Sequence, residues 1–212
     1  MKTVYTDLVR FSSFVPPINL SFNQYLLLTN EPVLVHTGSY QGAKDLIPEL
    51  KEALSGKDLS YIFVSHFESD ECGGLSVILE AFPGAKVICS EVTARQFGGF
   101  GMDAECIVKK GGDSLKGDGF EFEFITYPSE MHLWDGLLLI EKNRKIYFSS
   151  DLVFRMGEAH EESIKGDIKA EIQNISDEQL ASPAKKQVLI DELLSKDIRF
   201  IAAGHGDCVE GN

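Results

Sequence analysis

The chain has 212 residues, enough to bury a core without disulfide support, and its 43% hydrophobic and 25% charged residues are ordinary for a globular protein. A net charge of −13 argues against the long-range attraction to phosphate that nucleic acids and anionic membranes require, while leaving carboxylates to spare for a cation site. No apolar run approaches the roughly 20 residues of a membrane helix, so a cytoplasmic protein without nucleic-acid or membrane partners is expected.

The N-terminal stretch Tyr5–Phe14 alternates like a strand and carries charged residues, unlike a signal peptide. Asn23–Thr29 reads as a second strand, and Pro32–Gly38 as a third that ends in a glycine turn. Ala43–Leu54 places Leu46, Ile47, Leu50 and Leu54 at helical spacing and stops before Gly56. Tyr61–Ser65 is a continuous apolar run, as expected of a strand covered on both faces. A helix over Gly74–Phe82 and a buried strand over Ala85–Ser90 follow, then a short helix and the glycines Gly98, Gly99 and Gly101. Strands are predicted at Cys106–Lys109, Phe120–Tyr127, Leu137–Glu141 and Lys145–Ser149. A final helix contains Gln187–Leu194, and Arg199–Gly204 closes as a strand. Residues 156–182 are polar and weakly periodic, the pattern of a long loop or lid.

The order of elements predicts a single α/β domain over residues 1–212, layered with helices outside more than one sheet. The four cysteines, Cys72, Cys89, Cys106 and Cys208, have no CxxC spacing and read as reduced thiols.

The chemistry concentrates after Tyr61–Ser65, in the run VSHFESDECGG. On an extended chain His66, Glu68 and Asp70 point to one side, because side chains alternate with period two. They sit at the C-terminal end of a strand, where open α/β sheets place their sites. The plain alternative is a solvated loop, but three more groups occupy comparable positions. His205 follows the apolar run RFIAA between Gly204 and Gly206, Asp151 follows KIYFSS at the end of a predicted strand, and His132 lies in a turn-like stretch between strands. Imidazole with carboxylate suits zinc, iron or manganese.

These pieces resemble the metallo-β-lactamase superfamily, whose HxHxDH signature appears here as His66-Phe-Glu68-Ser-Asp70-Glu71, followed in order by His132, Asp151 and His205. Glu68 in place of the second histidine, Trp134 shortly after His132, and SSDLVF around Asp151 resemble the flavodiiron branch. The resemblance implies a four-layer αββα sandwich with two iron ions. It places His66, Glu68 and His132 on the first ion, Asp70 and His205 on the second, and Asp151 between them. It also implies O2 or NO as ligand, an external electron donor or signalling partner, and a homodimer.

The chain departs from that pattern at three points. Glu71 stands where histidine is usual, either as a ligand or, on the reading favoured here, as a hydrogen-bonding support. His36 takes the strand end where relatives carry an aspartate, and is expected to orient the site, with Trp134 beside it as a wall. No flavodoxin-like stretch follows His205, so no flavin is expected within this chain. Two chemistries stay open: a diiron protein that binds, senses or reduces a diatomic gas, and a dinuclear zinc hydrolase. The carboxylate of Glu68 favours iron.

Overall fold

The computed structural model describes residues 1–212, apart from the side chains of residues 129–131. The first half builds one sheet. Strand β1 (Lys2–Tyr5) and β2 (Leu8–Val15) are separate, because Thr6 turns the chain at φ +47° where one continuous strand was predicted. Next come β3 (Leu20–Leu27), β4 (Val33–Val35) and α1 (Tyr40–Leu54). Ser39 caps α1 by accepting from the Gly42 amide at 3.1 Å, a contact worth about 1 kcal/mol. The helix buries Ala43, Leu46, Leu50 and Leu54, the stripe that its spacing predicts.

Strand β5 (Tyr61–Phe63) leads into the short α2 (Ser69–Cys72) and then α3 (Leu75–Ala81), β6 (Lys86–Cys89), α4 (Glu91–Gly99) and β7 (Cys106–Val108). These strands form a seven-stranded sheet in the order β1-β2-β3-β4-β5-β6-β7, antiparallel up to β4 and parallel from β4 onward.

The second half builds the other sheet. Its elements are β8 (Ser114–Gly117), β9 (Phe120–Met131), β10 (Trp134–Glu141), β11 (Ile146–Phe154), β12 (Ile164–Gly166), α5 (Ile168–Gln173), α6 (Pro183–Leu194), β13 (Phe200–His205) and β14 (Val209–Gly211). The polar stretch 156–182 therefore holds β12 and α5, and is not one long loop. Asp167 caps α5 with its carboxylate, and Ser182 caps α6 ahead of Pro183. The strand order is β12-β14-β13-β11-β10-β9-β8.

Three apolar clusters define the layers. One lies between the first sheet and α1, α3 and α4, through residues such as Leu26, Leu34, Leu50, Ile62, Ile78 and Phe97. The second lies between the sheets and joins Tyr25, Phe63 and Ile88 to Phe122, Phe124, Phe148 and Phe200. The third fills the space between the second sheet and α5 and α6, with Tyr147, Ile172, Leu189 and Leu193. The result is helices, sheet, sheet, helices: the expected αββα sandwich. The C-terminal ends of β4, β5 and β13, and an irregular stretch inside β11, carry the groups described next.

Candidate metal centre

His66 and Ser65 follow β5, so the hydrogen bonding of a buried parallel strand fixes where they emerge. The chain stays extended through Glu68, whose φ and ψ are −135° and 161°, and becomes helical at Ser69. That change of conformation departs from the simple alternation expected of His66, Glu68 and Asp70. It draws Glu71, along with Asp70, into the interior, whereas Glu68 stays exposed.

Across the cleft, β11 is irregular. Its ladder with β13 shifts between Phe148 and Ser150, and Ser150 adopts φ +48°. Such bulges re-aim the neighbouring side chain, here Asp151. Gly204 on β13 passes so close that a Cβ there would lie 2.7 Å from the Ser150 carbonyl oxygen.

Asp151 turns one oxygen toward each of two imidazoles. Its Oδ1 is 3.1 Å from His205 Nε2 and its Oδ2 is 3.3 Å from His66 Nε2. Glu68 Oε2 is 3.0 Å from His66 Nε2, and Asp70 Oδ2 is 3.6 Å from His205 Nε2. Two metal-sized groups result, His66 with Glu71 and Asp151, and Asp70 with Glu71 and His205, each with its donor atoms within 4.8 Å of one another. Glu71 belongs to both. It is 2% exposed, and among the described residues its Oε2 has no hydrogen-bond partner.

The electrostatics follow from this crowding. Burial, reinforced by Asp151 and Asp70, pushes the Glu71 carboxyl well above its ordinary range. Asp70 is also raised, chiefly by burial. Burial would raise Asp151 as well, but the hydrogen bond from His205 and the imidazole charges outweigh it and hold its pKa down. Glu68 is lowered by its hydrogen bond with His66. For His205, burial works against protonation, and the hydrogen bond to Asp151 reverses that, so its pKa is raised. A buried carboxylate oxygen with no donor is costly, about 1–3 kcal/mol or more, and a cation on Glu71 relieves it. Imidazole nitrogens with several carboxylates form a donor set for iron, manganese or zinc, so the residues present fit a metal pair.

Supporting groups surround the donors. His205 Nδ1 donates to the Ser21 carbonyl at 2.9 Å, which leaves Nε2 for the cleft. Asn23 Nδ2 donates to the carbonyls of Ala203 and Gly206, pinning the turn that carries His205. His36 is 3% exposed and sits at φ +64°, with Nε2 3.0 Å from Ser65 Oγ, which is itself 3.0 Å from His66 Nδ1. Burial lowers the His36 pKa to about 3, so its imidazole is neutral. Tyr127 stands edge-on to His66 with centroids 5.3 Å apart.

Two expected groups are not joined to this cluster by any contact among the described residues. His132 is in the two-residue turn between β9 and β10, exposed, at φ +49° beside Leu133 at φ +68°. Among the described residues no hydrogen bond or ion pair joins it to the cluster. Trp134, expected as a wall of the site, is 41% exposed and lies under the Arg95 guanidinium at 4.5 Å. Ser65, Ser150, Ser21 and Asn23 escaped sequence reasoning. The sole signal was polar residues inside otherwise apolar strand segments.

A cleft of about 530 Å³ opens over Asp70, Asp151 and His205, walled by Leu20, Phe22 and Phe154. Glu178 and Gln179, from the stretch expected to be a loop or lid, line its rim.

The model of the family described as ODP family beta lactamase matches residues 20–206. The anaerobic nitric oxide reductase flavorubredoxin of Salmonella typhi is 26% identical over 134 residues, 62% of this chain and 28% of the relative. A flavodiiron protein from Giardia intestinalis superposes with a TM-score of 0.78 at 17% identity, over 97% of this chain and 54% of the other. The rubredoxin oxygen:oxidoreductase of Desulfovibrio gigas gives 0.77 at 18% identity, over 97% and 56%. The likeness to these two structures is one of fold. The chain spans about a quarter of the length of the curated relative and about half that of the solved structures.

Proposed function

The chain belongs to the ODP family beta lactamases, within the metallo-β-lactamase superfamily and its flavodiiron-like branch, and from that premise we propose that it holds two iron ions and binds a diatomic gas, O2 or NO. The observation that carries this reading is Glu71: a buried carboxylate, common to both donor groups, with one oxygen that has no hydrogen-bond partner among the described residues and lies 3.8 Å from His66 Nε2. His66, Glu68 and Asp151 would hold one ion, and Asp70, His205 and Asp151 the other, with Glu71 between them. His132 is assigned as a third imidazole delivered by the β9–β10 turn. Its support is order and spacing in the sequence, not contact with the cluster.

A ferrous pair held there would supply the electrons and Lewis acidity that a diatomic gas requires. The protein's own part is to fix donors and control access. The Ser21 carbonyl sets the His205 tautomer. Asp151 sets the spacing of the two imidazoles. Phe22, Phe154 and Leu20 keep one wall of the cleft apolar, which favours an uncharged ligand over water. The carboxylate-rich donor set favours iron over zinc, and relatives named for nitric oxide and for oxygen chemistry support the choice of gas. Electrons would come from an external donor, and a homodimer is part of the same proposal.

The test is anaerobic loading with ferrous iron, followed by metal analysis and visible spectroscopy. Two irons per chain and an absorption band that responds to O2 or NO are expected. Stoichiometric zinc taken in preference to iron, with ester or lactone hydrolysis, would overturn the diiron reading.

A further inference from the structure

Below the metal centre one hydroxyl joins strand ends from both sheets. Ser65, 1% exposed at the end of β5, has its Oγ 3.0 Å from His66 Nδ1, 3.0 Å from His36 Nε2 and 2.9 Å from Ser150 Oγ. Its carbonyl accepts from the Leu137 amide at 2.8 Å. His36 follows β4 and Ser65 follows β5, both in the first sheet, whereas Ser150 and Leu137 belong to β11 and β10 of the second. A serine hydroxyl offers one hydrogen and two lone pairs, so three partners use its full capacity.

Two of those partners hold backbone conformations that L-residues avoid, His36 at φ +64° and Ser150 at φ +48°. Such conformations persist where surrounding contacts over-determine them. The Ser65 hydroxyl is a contact that both share.

We propose that Ser65 is the positioning residue of the dinuclear centre, fixing the ring of His66 directly and the aim of Asp151 through Ser150. The inference rests on the metal-binding reading above. With a cation at His66 Nε2, the ring proton sits on Nδ1 and is donated to Ser65 Oγ. The hydroxyl hydrogen and the remaining lone pair then serve Ser150 and His36. One side chain thereby sets the direction of a ligand from the first sheet and of a ligand from the second. Removing it leaves His66 Nδ1, His36 Nε2 and Ser150 Oγ without their common partner, with no room gained for a compensating water beyond a hydroxyl's volume.

The test compares wild type, Ser65→Ala, Ser65→Thr and Ser150→Ala in the full chain, with ferrous iron as the probe against a competing chelator. Ser65→Ala is expected to bind iron roughly ten- to a hundredfold more weakly, with both ions affected, and Ser65→Thr to recover most of the loss. Ser150→Ala, which removes one of the three contacts, loses less, and it carries the test if Ser65→Ala does not fold. In the metal-free chain the 15N ring signals of His66 should move in Ser65→Ala and return in Ser65→Thr, a readout independent of iron.

Wild-type iron affinity and unmoved His66 signals in Ser65→Ala and Ser150→Ala would overturn the inference. Equal weakening in Ser65→Ala and Ser65→Thr with His66 signals unmoved would also overturn it, because the role would then be structural alone. If wild type takes up no iron while the His66 signals still follow the hydroxyl, the dinuclear reading fails and the positioning of His66 stands.

Discussion

The strand ends beneath the cleft and the turn between β9 and β10 hold their histidines in different ways. His66 emerges from a buried parallel strand, its ring held on one side by Ser65 and on the other by Glu68 and Asp151. His205 ends β13, with one ring nitrogen committed to the Ser21 carbonyl and the other to Asp151. His132 is exposed on a turn whose central residues are His and Leu, both at positive φ, where asparagine and glycine are the usual occupants. Leu133 beside it is 80% exposed. The lesson is that strand register and hydrogen bonds prepare the first two rings in advance, while the third has no such support among the described residues. Metal affinity should therefore reside mainly in the strand-end groups.

The largest effect should come from Asp151, which faces both imidazoles. Asp151→Ala is expected to weaken binding of the ion pair by roughly a hundredfold or more, read by chelator competition. A loss confined to one ion would show that the two halves are held independently.

Next, Gly204→Ala should destabilise the fold by about 1–3 kcal/mol, because its Cβ would press on the Ser150 carbonyl at the base of the site. A urea melt of the metal-free chain measures it, and an unchanged midpoint would mean that β11 yields more easily than a packed strand end should.

At the turn, His132→Ala should leave the metal-free stability within about 0.5 kcal/mol of wild type, as for other exposed positions. Iron binding by this variant decides the comparison. A loss as large as that of Asp151→Ala would make the turn an equal partner of the strand ends.

The smallest effect is at another pair of turns, which the fold does pin. Arg144, between β10 and β11, reaches Asp7, between β1 and β2, through two nitrogens, at 2.5 and 2.6 Å. Burial would raise the Asp7 pKa, but the hydrogen bond and charge of Arg144 outweigh it and hold the value below the ordinary 3.8. Stability from this pair is then present above pH 3.8 and is lost as the pH falls through the depressed folded value. Urea midpoints of wild type and Asp7→Asn should differ at neutral pH and converge in acid. A gap that widened in acid would contradict the pairing.

Much of the fold was legible because its elements obey one dominant period. Leu46, Leu50 and Leu54 mark α1, and the apolar runs at β5, β6 and β13 mark strands covered on both faces. The sequence was opaque where a short element replaces a regular one. Thr6 splits β1 from β2, and β12 and α5 hide in a polar stretch because each has few residues to show a period.

The same holds at the site. His66, Asp70, Asp151 and His205 were legible as chemically loaded residues that follow apolar runs, although Asp70 lies in α2 and Asp151 inside β11. Glu71 was read as a ligand or, by preference, a hydrogen-bonding support; that α2 begins at Ser69 and turns it inward was not visible in the residue pattern. Ser65 was invisible because its three partners come from stretches 29, 1 and 85 residues away, and no local pattern encodes such a meeting.

The most direct test of the account is anomalous diffraction at the iron edge from crystals grown anaerobically with ferrous iron. Two adjacent peaks flanking the Glu71 and Asp151 carboxylates, with His66 and His205 on opposite sides, are the predicted result. A cleft without metal, or iron bound only at surface carboxylates away from Glu71, would contradict it.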